Sequence, residues 1–296
     1  VHIVVPIKQV PESGNVKMDP KTGTMIRAGV NTVVNPLDLY AIEAALQLRE
    51  AHGGTVTVVT MGPKAADKAL REALAMGCDD GVLVSDRAFA GADTWATSYT
   101  LARVIAKIGA FDLIVCGERA TDGDTGQVGP GIAGWLDLPL ATYVATITEV
   151  DPARGRLTVE RLVEEGYQVL ELPLPALLTV VKEVAAPRLP TLRGKKRAKV
   201  TEIPLYDSGN LDLEPTYLGL KGSPTKVVKV ATPKVTRSGT VVRALDEAGV
   251  AAAVDQLVAF LDERGLIPAA RPADGPPSGG TARAPTGTAA DTGGRP

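Results

Sequence analysis

The chain has 296 residues, 45% of them hydrophobic, and a formal net charge of −2. That balance suits a soluble globular protein with one substantial core and room for a smaller second unit. It carries no excess of positive charge that would call for nucleic acid, and aromatic residues, at 4%, are too few for a base-stacking platform. No apolar run is long enough to span a bilayer, so no direct membrane insertion is expected. Val1–Lys8 is too short and wrongly arranged for a signal peptide, and a cytoplasmic location is expected.

In chain order, Val1–Lys8 is apolar and β-branched, the pattern of a strand. Pro36 to Arg49 has helical spacing, with Leu39, Ile42, Ala45, Leu46 and Leu48 on one side, and His52-Gly53-Gly54 ends it. Thr55–Met61 is a second strand, and Gly62-Pro63 opens a helix reaching about Met76. Gly81–Ser85 is a third strand, Thr94 to Ile108 a third helix with Leu101, Val104, Ile105 and Ile108 inward, and Phe111–Cys116 a fourth strand. The alternation predicts an α/β, doubly wound, mostly parallel sheet of Rossmann-like type with helices on both faces. In such sheets ligands sit beyond the carboxyl ends of the strands, where strand order reverses.

The rhythm then changes. Ala141–Val150, Arg156–Leu162 and Tyr167–Leu172 read as consecutive antiparallel strands joined by Asp151–Gly155 and Glu164–Gly166 turns, extending one side of the sheet. Ala176–Val181 is another apolar strand, closing an α/β domain over residues 1–184. From Ala185 the chain looks extended and poorly packed, and Arg193–Lys199 reads as an exposed basic loop. Asp207–Pro224, with turn residues and scattered apolar anchors, reads as an arm lying on another surface. Asp246 to Arg264 is a helix whose stripe of Val250, Val254, Leu257, Val258 and Leu261 needs a partner surface. The Pro-, Gly-, Ala- and Thr-rich tail, 268–296, is expected to be disordered.

The chemistry concentrates after the fourth strand, in Asp122-Gly123-Asp124-Thr125-Gly126-Gln127-Val128-Gly129-Pro130, which leads into a helix-like stretch from Gly131 through Ile132 and Ala133 to Leu136. Glycines every three residues let backbone approach a ligand, and the unpaired N–H groups of a following helix point at phosphate. Thr125 and Gln127 can donate to phosphate oxygens. Asp122 and Asp124 should not point at a phosphate; they can cap the helix, bond ribose hydroxyls or hold loop amides. Asn35-Pro36-Leu37-Asp38 is either a helix cap or an amide and carboxylate for an adenosine moiety. Lys8–Pro11, read as a loop, and Thr60–Pro63 follow strand ends on the same edge, so three strand ends and one glycine loop converge on one crevice. No catalytic Ser/His/Asp, Cys/His or paired-acid set is visible, so reactivity must come from a bound cofactor. Cys78 and Cys116 read as buried thiols, and neither His2 nor His52 clusters with them, which leaves no metal site.

These residues together resemble the β subunits of electron transfer flavoproteins. The resemblance is carried by Val5–Pro11, Asn35–Asp38 with Ala41–Leu46, Ala73–Gly77, Asp122–Pro130 and Pro187–Leu192, and it runs from about Val1 to Ile267. It implies a heterodimer with an electron transfer flavoprotein α subunit holding one FAD, and an adenine-nucleotide site in this chain at Pro6, Asn35 to Asp38, Met61 and Asp122 to Ala133. That site holds FAD in electron-bifurcating members and AMP in ordinary members, which shuttle single electrons from acyl-CoA-type dehydrogenases. The loop wording and Gly219–Thr225 are similar to the bifurcating group, with Gly126 in place of a common alanine, a change expected to widen the loop slightly. In that group NADH gives a hydride to the β-subunit FAD. One electron then goes to the α-subunit FAD and a dehydrogenase or quinone oxidoreductase, the other to a ferredoxin or flavodoxin. The resemblance further implies a partner-recognition loop at 185–199, presenting Leu192 beside Arg193, Lys195 and Lys196, and an arm and helix over 200–267 that pack on the α subunit. A non-redox nucleotide-binding protein on the same scaffold is the reading from outside the family.

Overall fold

The computed structural model describes residues 1–12, 31–228 and 239–267, and the tail expected to be disordered lies outside them. The chain divides into two compact units, Val1–Ala231 and Thr232–Pro296. In chain order the first contains β1 (His2–Pro6), β2 (Gln9–Pro11), β3 (Thr32–Val34), α1 (Pro36–His52), β4 (Thr55–Met61), α2 (Asp67–Met76), β5 (Asp80–Val84) and α3 (Thr94–Ile108). It continues with β6 (Leu113–Gly117), α4 (Val128–Leu136), β7 (Leu140–Asp151), β8 (Arg156–Val163), β9 (Gly166–Pro173), β10 (Ala176–Val180), α5 (Leu192–Val200), β11 (Leu205–Tyr206) and the single turn α6 (Gly219–Gly222). The second contains α7 (Glu247–Asp262).

The main sheet has nine strands in the order β11-β5-β4-β1-β6-β10-β7-β8-β9. β1 is central, parallel to β4 on one side and β6 on the other. Side chains alternate across each strand, and both faces are covered. Ile3, Val5, Val58, Val115 and Leu178 pack with Ile42, Leu46, Leu70 and Leu74 of α1 and α2. Val4, Val59, Ile114 and Leu177 pack with Val104, Ile105, Ile132 and Ala133 of α3 and α4. Continuous apolar strands are what a parallel sheet buried on both sides requires.

β7, β8 and β9 form the expected antiparallel extension. One face buries Val144, Leu157, Val159 and Leu172, while Tyr167 and Val169 stand exposed. The chain then returns to insert β10 between β6 and β7, parallel to both. Its run Ala-Leu-Leu-Thr-Val is buried at every position.

Two sequence expectations are corrected. Gln9–Pro11 is a strand rather than a loop, paired antiparallel with Thr32–Val34. Arg193–Lys199 belongs to helix α5. Thr191 caps it, accepting from Gly194 N at 2.9 Å. α5 then packs so tightly on the end of α2 that a Cβ on Gly194 would lie 2.1 Å from Ala75 O. Arg197 donates to Leu74 O at 3.0 Å, a carbonyl in the last turn of α2 that Gly77 N also reaches at 3.2 Å. Only Ala198 of α5 is buried, so no apolar period advertised this helix.

Residues 205–225 lie along α3 of the same chain. Leu211 and Leu218 are buried against that layer, Arg103 Nε donates to Asp212 O at 2.8 Å, and Glu214 N donates to Tyr99 Oη at 2.7 Å. In the second unit, Asp246 caps α7 by accepting from Gly249 N at 2.7 Å, and Val250, Val254, Leu257, Val258 and Phe260 are about half exposed.

Candidate functional site

From β1 the next strand in sequence within the main sheet, β4, lies on one side and β6 on the other, so the strand order reverses at the β1/β6 junction. The carboxyl ends of β1, β4 and β6 open there, and the loop 118–127 leads from β6 into α4. Pro6 and Met61 are the last residues of β1 and β4, and Thr60 Oγ1 donates to Ile7 O at 2.8 Å to tie the two strand ends together.

Asn35 is fully buried and precedes α1, with Pro36 opening the helix. Its side chain makes no cap bond. Instead Nδ2 donates to Asp38 Oδ1 and to Arg119 O, each at 2.9 Å, and Oδ1 accepts from Thr121 N at 3.2 Å. The cap role is not taken, and these bonds clip the loop to the start of α1. Asp38 accepts from Lys8 N at 2.7 Å through its other oxygen. Burial pushes the Asp38 carboxyl up to about 7, against the pull of the Asn35 and Lys8 donors. The folded state therefore binds a proton that the unfolded chain, with an ordinary carboxylate, releases near pH 4. Stability from this group is complete below about pH 4 and is lost as pH rises to about 7. Between pH 5 and pH 7 the loss should be about 2 kcal/mol. Urea unfolding of the wild type and of Asp38→Asn at both pH values checks this; parallel pH slopes in the two proteins would refute it.

The glycines of the region do different work. At the end of β6, a Cβ on Gly117 would lie 2.5 Å from Asp38 Oδ1 and 2.9 Å from the Leu37 carbonyl carbon, so the first turn of α1 crosses here against bare backbone. Gly123 faces open space. Gly126 has φ +63°, in the left-handed region, which explains a glycine there by backbone rather than by loop width. A Cβ on Gly129 would sit 2.7 Å from Thr179 Cγ2, and one on Gly131 2.5 Å from Ser98 Oγ, so these two seat α4 against β10 and α3.

Asp124 also takes a left-handed φ of +54°. Neither loop aspartate caps α4. Asp122 Oδ1 accepts from Lys8 Nζ at 2.6 Å and Asp124 Oδ1 from Arg119 Nε at 2.9 Å. Gln127, just before α4, gives no side-chain bond to the first turn; Pro130 has no N–H and Gly131 N donates to Gln127 O at 2.9 Å, so Val128 and Gly129 carry the only first-turn amides without an intrahelical acceptor. Gln127 Oε1 accepts from Thr94 Oγ1 at 2.9 Å.

Hydrogen bonds and an ion pair thus join Asn35 and the Lys8 segment to the start of the loop at Arg119, Thr121 and Asp122, while Pro6 and Met61 end the neighbouring strands β1 and β4. Ile132 and Ala133 are core residues beneath it. Leu192, Arg193, Lys195 and Lys196 lie on α5, which packs against α2, and Leu192 is 82% exposed. Lys8 lies in the strand-end segment read on this edge, but its pairing with Asp122, like the packing of Gly117 and the tether at Arg119, has no signal in a glycine-rich or capping pattern.

Gly219–Thr225 is fastened to the start of α3, on the flank of this edge. Asp93 Oδ2 accepts from Thr225 N at 2.9 Å and Thr225 Oγ1 at 2.7 Å. Ser223 Oγ accepts from Asp93 N at 2.8 Å and donates to Gly219 O at 2.7 Å. Both tryptophans, Trp95 and Trp135, join Tyr99 and Tyr217 in one edge-on cluster on this flank, the two indole centroids 5.1 Å apart.

Cys78 and Cys116 are free and buried, and burial pushes the Cys78 thiol up to about 12. No group of metal-ligating side chains occurs among the described residues, and no helix there is long and apolar enough to cross a membrane.

A glycine-rich loop between a parallel strand and a helix, at a strand-order reversal, places the chain among the doubly wound α/β proteins, whose ligands sit at such a point. The electron transfer flavoprotein domain matches residues 22–208. The chain is 46% identical over 268 residues to the electron transfer flavoprotein subunit beta of Thermoanaerobacterium thermosaccharolyticum, covering 90% of this chain and all of that one. It is 49% identical over 238 residues to Protein FixA of Azotobacter vinelandii, covering 79% of this chain and 85% of that one. It is 45% identical over 268 residues to the caffeyl-CoA reductase-Etf complex subunit CarD of Acetobacterium woodii, covering 90% of this chain and all of that one. The chain belongs to the electron transfer flavoprotein family, among its β subunits.

Proposed function

We propose that this chain pairs with an electron transfer flavoprotein α subunit, holds FAD in the β1/β6 crevice and takes electrons from NADH for flavin-based bifurcation. The observation that carries the reading is the crevice itself: Gly123 is open, Gly126 lets the loop turn back, and both loop aspartates already have cationic partners. The donor set fits a dinucleotide. In this reading Pro6, Asn35, Asp38 and Met61 border the adenosine end, while Thr125, Gln127 and the backbone N–H groups of Val128 and Gly129 offer donors for a pyrophosphate. FAD bound there would supply hydride acceptance and single-electron release. The chain's own part is to hold the nucleotide and set the charge around it.

The bifurcating form is favoured by the loop wording Asp-Gly-Asp-Thr-Gly-Gln-Val-Gly-Pro and by similarity to a subunit of a caffeyl-CoA reductase-Etf complex. In this reading the half-exposed stripe of α7 packs on the α subunit. Leu192, Arg193, Lys195 and Lys196 of α5 dock a dehydrogenase or quinone oxidoreductase, and a ferredoxin or flavodoxin takes the low-potential electron.

Coexpression with the α subunit, extraction and counting of cofactors tests this. Two FAD per heterodimer are expected, with reduction of the β-site flavin by NADH alone. One FAD and one AMP would instead make the chain an ordinary β subunit, and two flavins that NADH leaves oxidised would sink hydride entry here.

A further inference from the structure

The loop that should receive a phosphate carries three carboxylates, Glu118, Asp122 and Asp124, against a single cation, Arg119. A carboxylate within a few ångströms of a phosphate opposes its binding, more strongly where water is partly excluded. The side chain of Asp122 is only 12% exposed, so solvent screens it poorly. Yet its oxygen is met at 2.6 Å by Lys8 Nζ, a cation from the segment after β1, 114 residues away in sequence. The Lys8 backbone is fixed in turn: its N–H donates to buried Asp38, and its carbonyl accepts from Asn35 N at 2.8 Å. Arg119 is held at its carbonyl by Asn35 Nδ2, and its guanidinium reaches Asp124 at 2.9 Å and Glu118 at 3.7 Å. The Arg119–Asp124 pair also braces a left-handed, non-glycine backbone position.

We infer that Lys8 and Arg119 are positioning residues of the nucleotide site, which cancel the loop's carboxylates so that an anionic phosphate can enter. The inference rests on the nucleotide reading above. It explains how a loop with an acidic excess serves an anion: the carboxylates shape the loop through ion pairs, and Lys8 and Arg119 cut its three carboxylates to an excess of one, Glu118, which shares Arg119 at 3.7 Å. The penalty for breaking a pair must then scale with the charge of the ligand, whereas a purely architectural bond would weaken all ligands alike.

The test uses the α/β heterodimer of the full chain, stripped of nucleotide and titrated calorimetrically with adenosine, AMP and ADP. In Lys8→Met and in Arg119→Gln, adenosine affinity should stay at the wild-type value. AMP should weaken about tenfold and ADP more than AMP, as an uncompensated charge at close range requires. Lys8→Arg should bind AMP as the wild type does. Lys8→Met combined with Asp122→Asn should recover most of the lost AMP affinity, because the charge to be cancelled is gone. Equal losses for all three ligands, or AMP and ADP affinities unchanged in both single variants, would overturn the inference. Wild-type protein that binds none of the three would remove the nucleotide reading and the inference with it, a result distinct from wild-type binding with unaffected variants. If Lys8→Met fails to assemble, Arg119→Gln, whose side chain is 45% exposed, carries the same series.

Discussion

Gly117→Ala should destabilise the protein by about 3 kcal/mol and strip it of nucleotide. The new methyl would enter a space already occupied at 2.5 Å by Asp38 Oδ1 and at 2.9 Å by the Leu37 carbonyl. Neither neighbour can step aside. Leu37 is backbone in the first turn of α1, and Asp38 is held between Lys8 N and Asn35 Nδ2. Relief therefore requires moving α1 away from β6, which pulls Asn35 from Arg119 and Thr121 and releases the loop. Urea unfolding together with nucleotide content of the purified heterodimer measures both effects. Gly123→Ala is the control: its methyl meets nothing within 4 Å, and its stability should stay within about 0.5 kcal/mol of wild type. Two variants of equal stability would mean that the approach of α1 to β6 is looser than described.

Arg188→Ala should cost about 3 kcal/mol through a different route. Glu43 of α1 is 3% exposed and accepts from Arg188 N at 3.1 Å, Nε at 2.8 Å and Nη2 at 2.9 Å, while the guanidinium also reaches Glu50. Burial resists ionisation of Glu43, and the arginine overcomes it, holding the carboxyl below the usual range. Without the guanidinium, Glu43 keeps only Arg188's backbone N–H and Gln47 at 3.0 Å as donors. Its pKa should rise, so the variant should lose more stability at pH 7 than at pH 5. Adding Glu43→Gln should recover part of the loss. Nucleotide retention should be unchanged, because this pair fastens the segment leading to α5 rather than the crevice. A variant that unfolds at the wild-type urea midpoint at pH 7 would show that Glu43 finds solvent.

Much of the fold was legible because its signals are local. Val4 and Ile114 sit in unbroken apolar runs, and Leu101, Val104 and Ile105 recur at helical spacing; both patterns follow from burying one side of a regular backbone. α5 escaped notice because it is held by arginine bonds to the end of α2 rather than by an apolar face. The insertion of β10 between β6 and β7 escaped as well, since a fully buried strand looks the same at any central position.

The sequence by itself determined the alternating α/β architecture, the position of a glycine loop between a strand and a helix, and the family, because each is written in contiguous residues. Only the tertiary structure decided what the polar residues of that loop do. Asp122 meets a lysine 114 positions away, and Asn35 abandons its cap for a carbonyl 84 positions away. Charge compensation in a folded chain depends on distance in space, which falls off as 1/r and has no counterpart in spacing along the chain. The glycines divide in the same way: repetition announced Gly123, Gly126 and Gly129 alike, and packing alone made one open, one left-handed and one a seat for β10.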